Sequence, residues 1–481
     1  MTRGDRPGDF FVHRKLKLPR RLQRVLGVGG LFSAAYGNVG SSIYYALGVV
    51  SMSALGLTPP VLMLSGILFL FTALTYAEGA TAIPESGGSG AFARRAFNDW
   101  VSFLTSWVLM IDYIVTIAIS AFTAANYIGF FFPVFKTWPT NSIVGVIIVA
   151  ALALVNMVGV RESARLNIFL VIVDIGTQVL VAVLGAFLII SLPTLINNIH
   201  WGEAPTMDQL LFGISISMVA YTGIETVANL GSEAKDPVKS IPRAVMLVFV
   251  TVIILYAFLS MTALSAYPVY QTLDGQWVTD LTQKFLEDPI MGIAYAMPGY
   301  IPVFLGFWVA MLAATILIIA TNAGMLGASR LAYFMGQRQQ LPSFFSKLGK
   351  KSHVPMNSIL IFSAIAIALI GTGRVELLAD LYAFGAVLAY TLAHASIIAL
   401  RIKEPDLPRP FKIPLNITIR GRQIPLTAIL GGVATAVTWL IVVYTHVVGR
   451  IVGFLWIGVG LLIFFLYRRY KNKQRSASTG T

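Results

Sequence analysis

Long apolar stretches, separated by short polar segments, make up most of this chain. The stretches are about 20 residues long, which is the length that a helix needs to cross the hydrocarbon core of a bilayer. None shows the ten-residue alternation that is typical of a membrane barrel. The pattern predicts an all-α membrane protein with 12 transmembrane helices, at roughly 27–50, 59–83, 100–131, 142–160, 166–192, 209–231, 243–266, 300–334, 355–372, 377–400, 424–446 and 450–467.

Glycine interrupts the first and the sixth of these spans at matching places. The first interruption is the segment 36–42, Tyr-Gly-Asn-Val-Gly-Ser-Ser, and the second is 221–225, Tyr-Thr-Gly-Ile-Glu. Helix breakers at corresponding positions of two halves point to the binding site of a transporter built from inverted repeats. We therefore expect a 5+5 inverted repeat with an unwound segment in each half, followed by two C-terminal helices. The alternative is that the glycines only permit close helix packing.

Composition excludes several classes of protein. The chain is 57% hydrophobic and only 12% charged, with a mean hydropathy of +0.77, whereas about a quarter of the residues in soluble domains are charged. It has no cysteine, and its five histidines are scattered without metal-ligand spacing. For His394, inside an apolar span, we expect a packing role. There is no nucleotide-binding loop and no nucleophile–base set. We expect a protein that is not an enzyme and has no cofactor and no metal centre.

Positive charge is concentrated in alternate loops. The net charge is +14, and nearly all of the 35 Lys and Arg residues fall on one side of the predicted spans. Basic loops stay in the cytoplasm, so we expect both termini there, in a cytoplasmic membrane of the bacterial type. The charge then reflects topology, and no nucleic-acid partner is expected.

The longest external loop, about 267–299, carries four acids, and we expect it to be solvated rather than to shape the outer mouth.

These observations predict a single membrane domain between two polar tails. The predicted ranges are 1–24 for the cytoplasmic N-terminal tail, 25–470 for the transmembrane domain and 471–481 for the cytoplasmic C-terminal tail. Within the domain we expect the first repeat at about 25–192, the second at about 208–402 and the extra helices at about 423–470.

Four acidic residues lie at bilayer depth in predicted spans, and each is a functional candidate because ionisable groups there are costly. They are Glu78, Asp112, Asp174 and Glu225, and none has a basic residue in its own span. Burial without a counter-charge favours the protonated form of a carboxyl group. Such a group can exchange a proton when its access to water changes, as a proton-coupled carrier requires.

The acids differ in their positions. Glu225 follows the second interruption, where it could bind a proton or a cation, or could simply bond the exposed amides and hold the break open. Asp112, with Thr116 one helical turn further on, could line the site or join two helices by a hydrogen bond. For Glu78, near the cytoplasmic end of its span, we expect an ion pair with a loop arginine.

The two interruptions offer complementary chemistry. Free N–H groups around Gly40, Ser41 and Ser42 suit a carboxylate. Carbonyl groups around Gly37 and Tyr221 suit an ammonium group or a metal cation. An α-amino acid satisfies both ends at once. Four tyrosines could close over such a solute, namely Tyr44, Tyr45, Tyr221 and Tyr382.

Several motifs along the chain resemble those of one transporter family. They are Gly40-Ser41-Ser42-Ile43-Tyr44 in the first span, Tyr76-Ala77-Glu78 with Pro84-Glu85-Ser86-Gly87-Gly88 after the second, Ala220-Tyr221-Thr222-Gly223-Ile224-Glu225 in the sixth, Ala328-Ser329-Arg330 with Leu341-Pro342 after the eighth, and the segment 404–414 after the tenth. By these motifs the chain resembles an amino acid permease of the amino acid–polyamine–organocation (APC) superfamily. The resemblance implies a repeat of the LeuT type and alternating access about a midplane site. It places Gly40, Ser41 and Ser42 on the substrate carboxylate, and Tyr221 and Thr222 near the amine.

A second resemblance leads to a different substrate. The segments 111–120 and 222–225 are similar to the cation-site segments of KUP-type potassium importers, and Tyr45 and Tyr382 match as well. Those importers carry an aspartate where this chain has Asn38. The expected substrate-binding residues are Asn38, Gly40, Ser41, Ser42, Tyr45, Asp112, Thr116, Tyr221, Thr222, Gly223 and Tyr382.

Two departures from the family pattern bear on the coupling ion. Asp174 stands where some proton-coupled permeases carry a lysine, so this residue could be a titrating group or could ligate a cation. Ile318 and Ile319 stand where hydroxyl groups would bind sodium, which disfavours sodium. Protons are therefore favoured, with Glu225, Asp174 and Asp112 as the expected coupling groups. The sequence predicts a secondary transporter that imports an amino acid with protons; the alternative is a proton-coupled potassium or cation importer. Its expected partners are the solute, the proton and the lipid bilayer.

Overall fold

A computed structural model describes residues 26–85, 87–158, 164–349 and 354–479. The predicted N-terminal tail at 1–24 lies outside the described residues. Helices account for most of the described chain. They are α1 Val28–Val39, α2 Ile43–Ala54, α3 Thr58–Ala82, α4 Gly88–Ala96, α5 Asp99–Ile128, α6 Thr140–Val158, α7 Ala164–Leu188, α8 Leu192–Asn197, α9 Met207–Ser217, α10 Glu225–Asn229, α11 Pro237–Ala266, α12 Asp280–Phe285, α13 Pro289–Tyr295, α14 Ile301–Gln337, α15 Met356–Ile370, α16 Val375–Lys403, α17 Leu426–Thr445 and α18 Val447–Thr479.

The all-α membrane fold is confirmed. Among the described residues, 10 helical segments are long and apolar enough to cross a membrane. The first of them, Val28–Ala82, is 55 residues long and contains α1, α2 and α3, so it accounts for two predicted spans. Helix α15 is apolar but shorter, and the count of 12 spans stays a prediction. The strands in the described residues form two antiparallel hairpins, β1 Val269–Gln271 with β2 Trp277–Thr279, and β3 Asn416–Ile419 with β4 Arg422–Pro425.

Helix α5 is the centre of the bundle. Asn98 caps its first turn by accepting hydrogen bonds from the backbone of Trp100 and Val101. The apolar stretch of α5 is entirely buried, and the helix packs against α14, α16, α4 and α6. Helices α7, α17 and α18 instead expose large apolar side chains such as Phe187 and Leu455, as expected of surfaces that face lipid.

The two interruptions have different backbone structures. The prediction that both are unwound is wrong for the first, because the chain stays right-handed and helical through a short 3₁₀ turn at Gly40–Ser42. The hydroxyls of Ser41 and Ser42 both donate to the carbonyl of Asn38, at 3.0 and 3.3 Å. These bonds satisfy a carbonyl at the point where the helix tightens, so the glycine permits a break without causing one.

The second interruption is unwound, as predicted. Helix α9 begins with a capping box between Thr206 and Gln209 and passes into a 3₁₀ turn at Met218–Tyr221. Thr222 is then extended, and Gly223 has a φ of +122°, a conformation that favours glycine. Helix α10 starts directly afterwards at Glu225.

The external loop at 267–299 packs onto the bundle, so the prediction that it is solvated is wrong. The β1–β2 hairpin, α12 and α13 follow one another there, and most of α13 is buried. A Cβ added at Gly48 of α2 would lie only 2.1 Å from the carbonyl oxygen of Leu286, so loop and helix backbones nearly touch. Asp288, 7% exposed, pairs with Lys136 at 2.5 Å. The loop therefore covers one end of the first span.

The last helix extends into the range predicted as the C-terminal tail, and the role of that range as a cytoplasmic tail stays a prediction. The range 471–481 is predicted as a tail, but α18 continues to Thr479. Within it the amide of Gln474 donates to the hydroxyl of Tyr470 one turn earlier, at 2.7 Å. Further back, the ring N–H groups of Trp107 and Trp456 each donate to the other residue's carbonyl, at 2.7 and 2.9 Å. This reciprocal contact fixes α18 on α5.

Candidate functional site

The unwound segment of the second interruption lies directly against the first span. A Cβ at Gly223 would come within 2.9 Å of the Asn38 side chain and of the Val39 backbone nitrogen. The Asn38 amide donates to the hydroxyl of Thr226 at 3.2 Å, while no described residue donates to its Oδ1 atom. Position 223 requires glycine because of its backbone angle and because the Asn38 side chain comes so close. The Asn38 side chain can therefore pack directly against the unwound segment.

Asp112 and Glu225 are brought together at this point. Each is fully buried, and the two carboxyl groups lie within hydrogen-bonding range of each other. Glu225 Oε2 accepts from the Gly223 backbone at 3.1 Å and from the Tyr390 hydroxyl at 3.0 Å. No N–H or O–H group of the described residues is placed as a donor to Glu225 Oε1 or to either oxygen of Asp112. The ion pairs among the described residues do not include either acid.

Four other predicted residues form a chain of hydroxyl groups beside this pair. The Ser42 and Tyr45 hydroxyls lie 2.9 Å apart, and Thr116 donates to the Tyr382 hydroxyl at 2.7 Å. The hydroxyl groups of Tyr45 and Tyr382 are hydrogen-bonding neighbours. Both lie close enough to the Asp112 carboxyl group to interact with its charge. The first, third and tenth spans thus contribute one continuous polar surface.

The remaining residues of the first interruption do not present free donors. The Ser41 hydroxyl is committed to the Asn38 carbonyl, as is that of Ser42. A Cβ at Gly40 would lie 2.5 Å from the Tyr36 ring, so Gly40 serves close packing. The predicted carboxylate site at these residues stays a prediction, and the observed backbone gives it little support.

Tyr221 and Thr222 direct their side chains elsewhere. The Tyr221 hydroxyl donates to the Leu62 carbonyl of α3 at 2.8 Å, and its ring packs on Phe69 and Tyr256. The Thr222 hydroxyl donates to the Val219 carbonyl at 2.8 Å. A solute could therefore contact the backbone of Tyr221 and Thr222 rather than their side chains. The resemblance implies that these two residues lie near the amine of the solute.

Asp174 lies apart from the carboxyl pair. It accepts hydrogen bonds from Tyr44 at 2.7 Å, Gln178 at 2.9 Å and Tyr36 at 3.2 Å. With three donors its carboxyl group is well satisfied, and it ties α7 to the first span on both sides of the interruption. Its coupling role stays a prediction.

Two polar residues inside the bundle have structural partners. Glu78 accepts from Arg401 at 2.6 and 2.7 Å and from the Ile413 backbone at 2.9 Å. It also lies 3.4 Å from Arg409, which confirms the predicted ion pair with a loop arginine. His394 makes hydrogen bonds with Thr72 and Thr75 of α3, in agreement with the expected packing role.

A cavity of about 90 Å³ adjoins the site. Its lining residues include Thr226, Asn229 and Arg330 of α14. Arg330 pairs with Glu233 at 3.1 Å and is 29% exposed. The cavity is therefore lined both by residues that follow the unwound segment and by Arg330, near the end of α14 that the charge pattern predicts to be cytoplasmic.

Sequence reasoning did not find three residues that contact the site. Tyr390 lies two helical turns after Tyr382 on the same face of α16, a spacing that could have indicated it. Thr226 directly follows Glu225 and bonds Asn38. Tyr256 of α11 donates to carbonyl groups of both interrupted spans, and no local pattern marks it.

Known proteins resemble this chain over nearly its whole length. A family model described as amino acid permease matches residues 26–466. The vacuolar cationic amino acid transporter 4 of Arabidopsis thaliana is 24% identical over 81% of this chain, which spans 65% of that relative, just under two thirds. The branched-chain amino acid permease BcaP of Bacillus subtilis is 25% identical over 94% of this chain and 95% of its own length. The methylthioribose transporter of Bacillus subtilis is 25% identical over 90% of each chain.

The family match and the fold agree. The matched range includes both interruptions and the Asp112–Glu225 pair, and it ends within the last apolar helix, α18. The described helices are those of a multi-pass membrane protein. The chain therefore belongs to the amino acid permease family.

Proposed function

We propose that this permease imports an amino acid together with protons, by alternating access across the cytoplasmic membrane with both termini inside. The observation that carries the proposal is the contact between two buried carboxyl groups, Asp112 and Glu225, beside an unwound backbone segment. Two carboxylates so close, without a basic partner, share a proton or take up a cation. Names of two similar proteins, a cationic amino acid transporter and a branched-chain amino acid permease, support the class of solute.

The roles of the two acids follow from their hydrogen bonds. Glu225 Oε2 is held by Gly223 and Tyr390, so the carboxyl group is fixed at the break while Oε1 stays available. The Asp112 oxygens are available beside it. A proton on this pair allows both acids to remain buried, and an incoming ammonium group supplies the donors that they lack.

Solute release to the cytoplasm uses the adjoining cavity in this proposal. Thr226 lines this cavity and also accepts a hydrogen bond from Asn38. The two inverted repeats at about 25–192 and 208–402 would rock against each other, opening the site on one side at a time. The Arg330–Glu233 ion pair would break when the site opens to the cytoplasm and form again when the site closes.

A proton-coupled potassium or cation importer is the second candidate. It is favoured by the chain of hydroxyl oxygens from Ser42, Tyr45, Tyr382 and Thr116 next to the Asp112 carboxyl group. Hydroxyl and carboxylate oxygens are the ligands that hard cations take. The family match favours the amino acid.

Uptake into proteoliposomes separates the two. Purified protein is reconstituted and tested with a panel of labelled amino acids, and with rubidium as a potassium surrogate, with and without an inward proton gradient. Accumulation of an amino acid that depends on the gradient supports the proposal. Rubidium uptake without any amino acid response overturns it.

A further inference from the structure

A histidine between the last two helices joins them to two other spans. His446 lies between α17 and α18 and is 1% exposed. Its Nδ1 atom lies 2.7 Å from Oδ1 of Asp380 on α16, and its Nε2 atom lies 2.7 Å from the hydroxyl oxygen of Ser215 on α9. Its ring stacks on that of Phe212, with the ring centres 4.0 Å apart. One imidazole group therefore anchors the C-terminal helix pair to α9 and α16.

This Ser215–His446–Asp380 cluster belongs to elements that also form the candidate site. Ser215 is on the half-helix that leads into the second interruption, and Asp380 comes shortly before Tyr382 on α16. Both residues lie towards the ends of their helices that the charge pattern predicts to be external. An external opening between α9 and α16 would have to break the cluster, so the cluster acts as a clamp on that side.

The hydrogen bonds indicate how many protons the cluster holds. The Ser215 hydroxyl donates to the Phe212 carbonyl at 2.8 Å, and a hydroxyl group has a single proton. Towards His446 it can then only accept, so Nε2 must carry a proton. The contact between Nδ1 and Asp380 needs another proton, on the ring or on the carboxyl group. When every bond is made, His446 and Asp380 together therefore hold one proton more than a neutral histidine beside an ionised aspartate.

The same three residue types form the catalytic triad of many hydrolases. Here Ser215 is fully buried and directs its proton to a main-chain carbonyl, so it is not available as a nucleophile. Histidine is also the side chain that changes its charge between about pH 5 and 8. The chemistry that the cluster supports is therefore proton binding rather than acyl transfer.

The charged groups around the cluster leave Asp380 as the partner of His446. Among the described residues, the ion pair of His446 is with this acid. Glu376, one turn earlier on α16, interacts with Glu287 of the external loop. Arg450, one turn after His446 on α18, donates to a main-chain carbonyl of α17 at 3.1 Å. The other titratable side chains at this end of the helices that carry the cluster are exposed, namely Asp208 of α9, Arg374 before α16 and Tyr444 of α17.

We propose that His446 and Asp380 form a proton-binding site that holds the external side of the carrier closed. With the proton bound, Ser215 bonds both the Phe212 carbonyl and the imidazole group, and α9 stays on α16. Without it, Ser215 must give up one of these two bonds, and the outer ends of the helices separate more easily. A proton that binds the closed form more tightly shifts the carrier towards closure. This site is separate from the carboxyl pair at the second interruption, and the inference rests on the proposed function only for the alternating access that the clamp would regulate.

The reactivity of a single cysteine tests the proposal. The chain has no cysteine, and Ala54 at the end of α2 is fully buried against α9, where a Cβ at Gly213 would lie 3.0 Å from it. The thiol of Ala54→Cys should react with a soluble maleimide only when α9 moves away. The protein is held in nanodiscs, where both faces meet the solution. Leu273→Cys, in the exposed part of the external loop, corrects for the pH dependence of the thiol itself.

The corrected labelling rate at position 54 should rise roughly three- to thirtyfold from about pH 5.5 to about pH 7.5. The reason is that one proton taken up on closure changes the ratio of open to closed carriers by up to about tenfold per pH unit. The same corrected rate at both pH values would overturn the proposal.

His446→Gln separates the proton from the hydrogen bonds. Glutamine can still bond Asp380 and Ser215 but does not titrate, so the corrected labelling rate should no longer depend on pH. His200→Gln is the matched control, because His200 also stacks on an aromatic ring, that of Trp277, with the centres 4.0 Å apart. This variant should keep the pH dependence. A pH dependence that persists in His446→Gln would exclude the cluster as its source.

Hydrogen exchange in the natural chain covers the case in which Ala54→Cys does not fold. Amides of α9, corrected for the pH dependence of exchange itself, should exchange faster at about pH 7.5 than at about pH 5.5, and His446→Gln should remove the difference. Equal corrected rates in the wild type would overturn the proposal. Neither measurement needs a solute. Failure of amino acid uptake would therefore overturn the proposed function and leave the result on the clamp intact.

Discussion

The hydroxyl of Tyr390 lies 3.0 Å from Oε2 of Glu225 and donates to it. Because the Gly223 backbone donates to the same oxygen, one oxygen of the carboxyl group is fixed at the unwound segment, while no described residue donates to the other, Oε1. The two alternatives for Glu225, a support of the break and a site for a proton, are therefore compatible within one side chain.

Glu225→Gln should separate these two roles. Glutamine keeps an oxygen that can accept from Gly223 and Tyr390 but has no titratable proton. We expect proton-driven accumulation to disappear, so that the internal concentration of amino acid never exceeds the external one, while exchange of labelled for unlabelled solute continues. The measurement is uptake with and without a pH gradient, beside counterflow. The exposed acid Glu203, changed to Gln, is the control. Unaltered gradient-driven accumulation in Glu225→Gln would remove this residue from coupling.

Gly223→Ala should impair transport through the backbone. The residue has a φ of +122°, and an added Cβ would lie 2.9 Å from Asn38. A strained residue of this kind costs about 1–3 kcal/mol, so the uptake rate should fall roughly 5- to 150-fold. Gly458→Ala is the control, because its Cβ would meet nothing within 4 Å. Equal uptake by the two variants would show that the unwound segment tolerates a side chain.

Glu78→Gln should destabilise the fold. Glu78 and Arg401 are 1% and 4% exposed, so the substitution leaves a buried guanidinium group without its counter-charge. Loss of one partner of a buried pair costs about 3–5 kcal/mol. Glu404→Gln breaks the exposed pair with Arg95, for which about 0–1 kcal/mol is expected. Thermal unfolding in detergent should show a much larger decrease for Glu78→Gln, and similar decreases for both variants would contradict the assignment.

Stability should depend on pH through the external loop. Burial raises the pKa of Glu287 from 4.5 to about 7, and the nearby Glu376 and Asp288 act in the same direction. Between these two pKa values the folded protein binds more protons than the unfolded one, so stability is highest at low pH and falls as pH rises from about 4.5 to about 7. Melting temperatures between pH 5 and 8 should decrease for the wild type and decrease less for Glu287→Gln. Parallel curves would exclude Glu287 as the source.

Sequence predicted the features that depend on local pattern. The span expected at 300–334 is α14, Ile301–Gln337, because apolar length alone defines it. The second interruption was predicted correctly because Gly223 is required by its backbone angle. The first was not, since a glycine only permits a break, and the serine hydroxyls after Gly40 stabilise the helical path.

Features that depend on distant contacts were missed. Tyr390 is 165 residues from Glu225 in sequence, and Tyr256 is 217 residues from Val39. Asp288 of the external loop is buried against Lys136, which is 152 residues away in sequence. No local pattern indicates this contact, and for that reason the sequence predicts a solvated loop. Charge and periodicity identify such residues as polar or apolar, but only the packing of helices shows which of them meet.

Proton movement that accompanies solute entry is the decisive measurement of coupling in this carrier. Proteoliposomes with a pH-sensitive dye inside are given the transported amino acid outside, with no pH gradient at the start. We expect the interior to acidify when solute enters, the acidification to saturate with solute concentration, and this effect to disappear in Glu225→Gln. Entry of labelled amino acid with no change of internal pH would contradict it.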